Sequence, residues 1–518
     1  MLVSGARPGD PKAMLFKSLI ETINREYVKG SGDPEISGVA YDSRRVAPGY
    51  LFVCIKGDRF DGHEFIADAL NNGASAVVSD DGKRAEALMR DALAVNGYRV
   101  DVPLLVVSDA RAALPALSAR FFGYPSRRLK LVGVTGTKGK TTTTHLMEGI
   151  LRNAGHSVGI IGTLGVRFND KTIATKNTTP ESSDLQEIFS QMVDEGVTSA
   201  VMEVSSHALV KGRTDGCEFD VGVFTNLTQD HLDFHHTLDE YFKAKLMLFE
   251  KMPLQSGKPF TAAANADDPR TEEIIGVAPG RTITFGIRND ADFKAMNVIT
   301  GSNGTEFDVR SQDGVFHISL KLGGLFNVYN ALAAIASASA LGIDVESIVR
   351  GLESVSHVPG RFVSIDRGQD FGIIIDYAHT PDSLANILGT ARDIAQNRLI
   401  VVFGCGGDRD RGKRPIMGSI ATEMADKVVV TSDNPRSENP ESIIDEIMHG
   451  VGAGDDVDRI VDRRSAIFRA INMAEPGDLV VVAGKGHETY QIFKNETIHF
   501  DDSEVVEEAL RDLDSKRR

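Results

Sequence analysis

The sequence predicts an α/β fold built on mostly parallel sheets and divided among three domains. Its 518 residues exceed what one hydrophobic core usually organises, because a domain usually spans roughly 100–200 residues. Short apolar runs alternate with helical stretches along the chain, which is typical of parallel sheets covered on both faces. One run leads into a glycine-rich loop and then a helix. We expect the domains to be 1–128, 129–358 and 359–518.

The first domain is predicted to be a mixed α/β unit. A helical stretch runs from Glu64 to Leu70, and the polar, turn-forming segment 124–128 is expected to be a linker. The β-rich runs are 51–55, 76–78 and 104–107.

The central domain is predicted to begin with a strand–loop–helix unit. Its first strand runs from Leu129 to Val134, a Gly/Thr loop follows, and the helix starts at about Thr141. Further apolar strands are predicted at 199–202 and 221–224. This order favours a mostly parallel central sheet.

The third domain is predicted to contain a parallel sheet buried on both faces, because one arrangement occurs four times. A short apolar run is followed each time by a polar loop: DYAHTP, GCGGDRDRGKRP, TSDNPRSENP and AGKGHE. The strands are 373–375, 399–403, 428–430 and 479–482. In such sheets ligands bind beyond the carboxyl ends of the strands, so the four loops predict one binding edge.

Composition excludes several classes of protein. The net charge of −16 argues against a general nucleic-acid binder, and 42% hydrophobic with 25% charged residues argues against disorder. No apolar run is long enough for a transmembrane helix, and the N-terminus lacks the apolar core of a secretory signal. Three scattered cysteines fit a reducing compartment. We expect a cytoplasmic protein without membrane insertion.

The segment 133–142, GVTGTKGKTT, has the chemistry of a phosphate loop. Gly136 and Gly139 let backbone N–H groups approach phosphate oxygens, Lys140 can reach the β- and γ-phosphates, and Thr141 can ligate Mg²⁺. The span from Gly133 to Gly139 is one residue longer than in the standard motif. ATP binding is therefore predicted. Kinases, transport ATPases and ligases all remain open at this point.

Two further strand ends carry groups that could approach this loop. Glu203 follows one apolar strand and His231 follows another. A carboxylate and an imidazole suit Mg²⁺ or Mn²⁺ when further oxygen ligands exist. A paired strand-end carboxylate and a capping histidine are equally compatible with the pattern.

The ordered motifs resemble those of the Mur ligases of peptidoglycan synthesis. They are GTKGKTTT, MEVSSH, TNLTQDHLDFH, NADD, GRF, DYAHTP, FGCGGDRDRGKRP, DNPR and AGKGHE, and the resemblance covers about residues 15–510. It implies an N-terminal uridine-nucleotide domain, a central ATPase domain and a Rossmann-like C-terminal domain that holds the amino acid. It also implies addition of meso-diaminopimelate to UDP-N-acetylmuramoyl-L-alanyl-D-glutamate through an acyl phosphate.

Site residues follow from the same resemblance, motif by motif. The implied cofactors are Mg²⁺ and a carbamate on Lys245, with ATP as a substrate. Catalytic positions are Lys140, Glu203, His231 and Lys245. Metal positions are Thr141, Glu203, His231 and Lys245. ATP contacts are Gly136, Thr137, Lys138, Gly139, Lys140, Thr141, Thr142, Asn265, Arg361, Asp376 and His379.

The resemblance also implies contacts to the two other substrates. The nucleotide dipeptide is expected at Tyr41, Ser43, Asp58, Arg59, Phe60, Asn177, Thr178, Thr179, Ser205, Lys211 and Arg213. Diaminopimelate is expected at Arg409, Asp433, Asn434, Pro435, Arg436, Gly484 and Glu488. Lys138 and Lys211 depart from the family, in which Asn and Gln are common at these positions.

Four alternatives remain at this stage. They are a ligase that adds L-lysine or another diamine, a ligase like folylpolyglutamate synthase, a catalytically silent scaffold and a P-loop ATPase that is not a ligase. The DNPR and DSR segments argue against the second, and the presence of Lys140, Glu203, His231 and Lys245 argues against the third. The expected partners are the three small-molecule substrates, and we expect a monomer.

Overall fold

The computed structural model describes residues 13–57, 60–96, 101–301, 304–452 and 454–517. The chain divides into two compact units. The first comprises Met1–Asp292 and Ala333–Gly351, and the second comprises Phe293–Leu332 and Leu352–Arg518. The α/β class is confirmed, whereas the three domain boundaries stay a prediction.

The N-terminal part of the first unit is a five-stranded sheet with helices. The sheet order is β2-β7-β6-β5-β4, parallel except for the antiparallel β2–β7 pair. All three predicted strands are present. The elements are β1 (Met14–Leu15), α1 (Phe16–Leu19), β2 (Tyr27–Lys29), β3 (Glu35–Ile36), β4 (Gly38–Ala40), β5 (Tyr50–Val53), α2 (Ile66–Asn71), β6 (Ala76–Ser79), α3 (Gly82–Asn96), β7 (Leu104–Val106) and α4 (Ala110–Phe121).

The segment expected to be a linker is instead packed against the central part of the same unit. It forms a 3-10 turn, Pro125–Arg128, in which Pro125 and Ser126 are buried. The Arg127 guanidinium lies 2.7 Å from the Glu218 carboxylate, and the Ser126 hydroxyl accepts a hydrogen bond from the Glu218 backbone. The predicted turn is present, and Ser126 and Arg127 bind Glu218 of the central part.

The central part of the first unit contains the strand–loop–helix unit. Its sheet order is β11-β10-β9-β12-β8-β13-β14-β15. The elements are β8 (Lys130–Thr135), α5 (Lys140–Asn153), β9 (Val158–Gly162), β10 (Gly165–Phe168), β11 (Lys171–Ile173), α6 (Ser182–Asp194), β12 (Ser199–Glu203), α7 (Ser206–Val210), β13 (Val221–Phe224), α8 (Leu232–His235), α9 (Leu238–Leu254), β14 (Thr261–Asn265), α10 (Thr271–Val277) and β15 (Arg281–Gly286).

Strand β8 lies between β12 and β13, and all three run parallel. The register pairs Glu203 with Val134 and Phe224 with Thr135. Because parallel strands end at the same edge, the phosphate loop, Glu203 and the segment after β13 meet there. The sheet topology therefore assembles the site.

An antiparallel meander and two helices follow in the chain. They are β16 (Phe293–Thr300), β17 (Thr305–Ser311), β18 (Gly314–Leu320), α11 (Leu325–Ala340) and α12 (Val345–Ser354).

The remaining elements form the parallel sheet predicted for the C-terminal part. Its order is β19-β20-β24-β21-β22-β23, and only the β19–β20 pair is antiparallel. The elements are β19 (Val363–Ser364), β20 (Gly372–Asp376), α13 (Pro381–Ile394), β21 (Leu399–Phe403), α14 (Lys413–Met424), β22 (Lys427–Val430), α15 (Pro440–Met448), β23 (Val457–Arg459), α16 (Arg463–Met473), β24 (Leu479–Ala483), β25 (Tyr490–Ile492), β26 (Thr497–His499) and α17 (Asp502–Arg517).

Both faces of this sheet are buried, as predicted. Successive residues of β21 alternate between two cores: Val401 faces one and Ile400 and Val402 face the other. Alternate side chains of a strand point to opposite faces of the sheet. Because both faces are buried here, every position is apolar, which produces the continuous apolar runs seen in the sequence. Among the described residues, no helix is long and apolar enough to cross a membrane.

A fully buried ion pair attaches α17 to α16. Arg463 donates two hydrogen bonds of 2.7 Å to the Asp502 carboxylate and one of 3.0 Å to the Ala483 carbonyl. Asp502→Ala should lower the free energy of unfolding by about 3–5 kcal/mol, because the guanidinium stays buried without its counter-charge. Chemical denaturation measures the loss.

The control is Asp458→Ala, which removes the partner of Arg469 in an exposed pair. Its loss should stay within about 1 kcal/mol, since solvent screens exposed pairs. Equal losses of unfolding free energy in Asp502→Ala and Asp458→Ala would contradict the argument that burial makes the Arg463–Asp502 pair important for stability.

Candidate active site

The phosphate loop is held in shape by the segment after β13. Gly136 has a φ of 145°, and a Cβ there would lie 1.9 Å from the Thr225 hydroxyl oxygen. Gly139, with a φ of 87°, directly precedes α5. Glycine is therefore required at both positions by backbone conformation, and at Gly136 also by space. The helix N-terminus favours bound anions.

Two lysines converge on one carbonyl of this loop. The Nζ atoms of Lys140 and Lys245 donate to the Gly136 carbonyl oxygen over 2.9 and 2.8 Å. Lys245 belongs to α9, is 1% exposed, and lies with its Nζ 4.0 Å from the centre of the Tyr241 ring. Burial, and then the charge of Lys140, lower the pKa of Lys245 well below its usual value.

Glu203 is buried at the end of β12 and accepts three hydrogen bonds. Thr141 donates its hydroxyl to Oε1 over 3.0 Å, and Thr163 donates its backbone N–H and its hydroxyl over 2.9 and 3.1 Å. A carboxylate and hydroxyl oxygens are hard ligands of the kind Mg²⁺ prefers, with phosphates and water completing its shell. The described residues contain no cluster of three or more His, Cys, Asp or Glu that could hold a metal.

His231 lies in an aromatic cluster beside this site. It has a φ of 53° and directly precedes α8. Its ring packs edge-on against the rings of His207 and Tyr241, with centroids 4.9 and 6.0 Å away. Tyr241 therefore contacts two of the four predicted metal positions, His231 and Lys245.

The remaining predicted ATP contacts of the first unit line the same edge. The Lys138 N–H donates to the Asn226 side-chain oxygen over 3.0 Å, and Thr137 accepts from the Thr228 N–H over 3.0 Å. Thr142 is buried in the first turn of α5. Asn265, at the end of β14, donates to the Thr225 carbonyl over 2.8 Å. These contacts join the loop to the segment after β13, and that segment to the end of β14.

Four of the residues predicted to bind the dipeptide lie at or near Glu203. The Thr179 hydroxyl donates to the Glu203 carbonyl over 2.9 Å and accepts from the Ser205 N–H over 3.1 Å. Arg213 donates to the Thr179 carbonyl and lies 3.4 Å from the Glu181 carboxylate. The Thr178 hydroxyl is 3.3 Å from that of Thr163.

The other predicted nucleotide contacts are more dispersed. Tyr41 donates its hydroxyl to Asp184 on α6 over 2.9 Å, and burial raises its pKa. Asn177 and Phe60 are exposed, and Ser43 is buried. The Lys211 ammonium lies 5.6 Å from the centre of the Phe234 ring. Asp58 and Arg59 lie outside the described residues.

In the second unit, three predicted ATP contacts surround Tyr377. The Arg361 guanidinium lies 5.0 Å from the centre of its ring, and His379 Nδ1 lies 2.8 Å from its carbonyl oxygen. The Asp376 carboxylate accepts from the Phe362 N–H over 2.9 Å.

The residues predicted to hold the amino acid do come together. Asn434 donates to Glu488 over 2.8 Å. A Cβ on Gly484 would lie 2.7 Å from the Asp433 carboxylate, so only glycine allows the backbone to come this close to Asp433. A Cβ on Gly406 would meet both the Arg436 guanidinium and the Arg409 side chain. Pro435, which stands between Asn434 and Arg436 in the chain, is buried.

The sequence also allows a different role for Arg436, an ion pair with a neighbouring carboxylate such as Glu438, but Glu438 is not its partner in the structure. Glu438 instead accepts two hydrogen bonds of 2.9 Å from the buried Arg414. Arg436 has a φ of 51° and donates its guanidinium to the Gly407 carbonyl over 2.7 Å. Its backbone N–H donates to the Ile492 carbonyl over 2.9 Å. These main-chain contacts position the guanidinium.

Several residues of the site are not among those predicted from the sequence. Thr163 orients Glu203, His207 stacks on Phe234 with centroids 4.1 Å apart, and Tyr377 anchors the predicted ATP contacts. Lys485 is buried and lies 3.2 Å from Glu488. His207, Tyr377 and Lys485 stand inside the quoted motifs, so the signal was present for them. Thr163 lies outside the quoted motifs, so no sequence signal pointed to it.

Three family models match the chain. They are described as Mur ligase family, catalytic domain, over 35–122; Mur ligase middle domain, over 134–338; and Mur ligase, glutamate ligase domain, over 360–486.

Curated relatives match over nearly the whole chain. A protein of Bacillus licheniformis named UDP-N-acetylmuramoyl-L-alanyl-D-glutamate–2,6-diaminopimelate ligase is 47% identical over 501 residues, which is 96% of this chain and 99% of the relative. A protein of the same name from Listeria monocytogenes is also 47% identical, over 94% of this chain and 97% of its own.

Solved structures give the same fold. A structure of a ligase of that name has a TM-score of 0.70 at 32% identity, covering 98% of this chain and all of its own. MurF from Acinetobacter baumannii has a TM-score of 0.64 at 22% identity, covering 97% and 99%. A folylpolyglutamate synthase of Mycobacterium tuberculosis has a TM-score of 0.60 at 19% identity, covering 77% and 96%. The last two likenesses concern the fold alone.

Proposed function

Since this chain belongs to the Mur ligase family, we propose that it is the ATP-dependent ligase that joins meso-diaminopimelate to UDP-N-acetylmuramoyl-L-alanyl-D-glutamate. The observation that carries the choice of amino acid is that Arg436 lies beside Arg409 and in the same loop as Asp433 and Asn434, whose side chain donates to Glu488. Diaminopimelate has an ammonium and a carboxylate at each end. A set with charges of both signs suits such a ligand, whereas L-lysine lacks the second carboxylate.

The reaction needs an activated carboxyl group, because a free carboxylate is a poor electrophile. The γ-phosphoryl group of ATP passes to the γ-carboxylate of D-glutamate, which forms an acyl phosphate and ADP. The amine of the incoming amino acid then attacks the acyl carbon, and the tetrahedral intermediate expels phosphate. In this proposal, Lys140 and the N–H groups at the start of α5 stabilise charge on the transferring oxygens.

Thr141 and Glu203 are the residues that would hold Mg²⁺ in this proposal, since their oxygens already meet. The ion, when bound, would neutralise charge on the phosphate oxygens. Thr163 keeps the carboxylate oriented through two hydrogen bonds. We assign His231 to the same site on the family motif.

Lys245 is suited to become a carbamate. Only a neutral amine adds CO2, and the lowered pKa of Lys245 increases its neutral fraction near pH 7. A bond forms between Nζ and the carbon of CO2, and one amine proton passes to solvent. The product is an anion, which would relieve the repulsion between Lys245 and Lys140.

The nucleotide substrate is assigned to the first unit. Thr179, Ser205 and Arg213 lie next to Glu203 and are proposed to contact its peptide end. Its reacting carboxylate would then lie near the phosphate loop. The three cysteines are free and buried, which supports a cytoplasmic location. A monomer remains our expectation.

A phosphate-release assay tests the function. Release should require ATP, UDP-muramoyl dipeptide and meso-diaminopimelate together, and a panel of amino acids should identify the diamino acid as the preferred nucleophile. Release without the dipeptide or the amino acid would instead indicate an ATPase that is not a ligase. A preference for L-lysine would overturn only the choice of amino acid.

Lys245→Ala should lower the turnover rate by about 10²-fold, because an anionic oxygen is lost beside the phosphate loop. Formate or acetate should restore part of the activity by supplying a carboxylate. With carbon-13-labelled bicarbonate, the wild type should show a carbamate NMR signal that the variant lacks.

Lys243→Ala is the matched control, because Lys243 is an exposed lysine on the same helix. It should keep both the turnover rate and the carbamate signal. A wild type without the signal would exclude the modification while leaving the ligase assignment intact.

A further inference from the structure

Lys485 is a fully buried lysine within the set of residues assigned to the amino acid. It directly follows Gly484 in the loop after β24. Its Nζ lies 3.1 Å from the Asn434 side-chain oxygen and 3.2 Å from Glu488 Oε2. A buried ammonium keeps most of its Coulomb interaction with its neighbours, because water does not screen it.

The position of Lys485 changes what Glu488 can bind. The same oxygen, Oε2, accepts from Asn434 over 2.8 Å and faces Lys485 over 3.2 Å. The charge of Glu488 is therefore already compensated within the protein. A ligand ammonium that approaches Glu488 also approaches the ammonium of Lys485, and like charges in a buried site oppose each other.

A ligand carboxylate experiences the opposite effect. Arg436 belongs to the same loop as Asn434, and its guanidinium is held by the Gly407 carbonyl. Arg436 and Lys485 together place two positive charges in this set of residues. A ligand end that carries both an ammonium and a carboxylate is neutral overall, so its carboxylate offsets the repulsion felt by its ammonium.

We propose that Lys485 is a specificity-determining residue that disfavours diamino acids without a distal carboxylate, acting through Glu488. The inference rests on the proposed ligase function and adds a repulsive element to the attractive one supplied by Arg436. Specificity commonly combines both kinds of element.

The test measures kcat/KM for meso-diaminopimelate and for L-lysine in Lys485→Met. The ratio of the two values should fall about tenfold or more, because L-lysine gains access to an uncompensated Glu488 while meso-diaminopimelate loses a favourable charge. Lys485→Arg keeps the charge and should keep most of the ratio, even if both rates fall.

Lys427→Met is the control. Lys427 lies on β22 and pairs with Asp456, so its loss should leave the ratio unchanged. An unchanged ratio in Lys485→Met, with both rates lowered equally, would overturn the proposal and leave Lys485 a structural residue.

A measurement on the wild type keeps the proposal testable if Lys485→Met does not fold. The analogue 2-aminopimelate has the distal carboxylate but no distal ammonium, and it should be a better substrate than L-lysine. A higher kcat/KM for L-lysine than for 2-aminopimelate would overturn the proposal. If the wild type releases no phosphate with meso-diaminopimelate, the proposed function itself fails.

Discussion

Arg436→Ala should remove most of the preference for meso-diaminopimelate over L-lysine. A site built to bind a polar group rejects ligands that lack it by about 10⁴-fold, because its own polar groups are then left unpaired. Without the guanidinium the ratio of kcat/KM values should fall by about 10³–10⁴-fold. The effect is expected mainly on meso-diaminopimelate, since L-lysine has no distal carboxylate to lose a partner.

The structure explains why this side chain suits that role. Its guanidinium is fixed by the Gly407 carbonyl, and its backbone by the Ile492 carbonyl. Its positive φ is unusual for a residue with a long side chain. Glu438, a neighbouring carboxylate, is already bound by Arg414. A guanidinium can form two parallel hydrogen bonds with a ligand carboxylate.

Arg436→Lys and Arg392→Ala make the test specific. Lysine keeps the charge but cannot form the paired hydrogen bonds, so Arg436→Lys should recover only part of the preference. Arg392 is an exposed residue paired with Asp426 on the same unit, and its loss should change nothing. Comparable wild-type kcat/KM values for the two amino acids would refute the specificity and leave the ligase chemistry standing.

The sequence predicts the sheets well because their pattern is local. Each of the four central strands of the C-terminal sheet is a short apolar run, and both faces are buried, so the pattern needs no knowledge of distant residues. The rule that ligands bind at the carboxyl ends of parallel strands then places the polar loops on one edge. The phosphate loop is predicted for the same reason, since its strand, glycines and helix are contiguous.

The sequence does not predict the pairings that depend on distant residues. Glu438 is close to Arg436 in sequence, but Arg414 reaches it from α14. The AGKGHE motif draws attention to Lys485, but lysines are usually solvated, so the motif does not show that this one is buried. The turn at Pro125–Arg128 has the composition of a linker, and only its distant partner Glu218 shows that it is packed.

Lys140→Ala should lower the turnover rate by about 10²–10³-fold, because it removes a positive charge from the transferring phosphoryl group. The effect should be on kcat more than on the KM for ATP, since the charge on the transferring oxygens changes most in the transition state. A phosphate-release assay with all three substrates measures it.

The structure separates this catalytic effect from a loss of stability. Lys140 is only partly buried, and its Nζ donates to the carbonyls of Gly136 and Thr137, which water can also satisfy. The Tm of Lys140→Ala should therefore stay close to that of the wild type. Lys130→Ala is the control: Lys130 is exposed at the start of β8, and its loss should preserve turnover. Near-normal turnover in Lys140→Ala would mean that phosphoryl transfer does not occur at this loop, and the assignment of Thr141, Glu203 and Lys245 to the same site would fail with it.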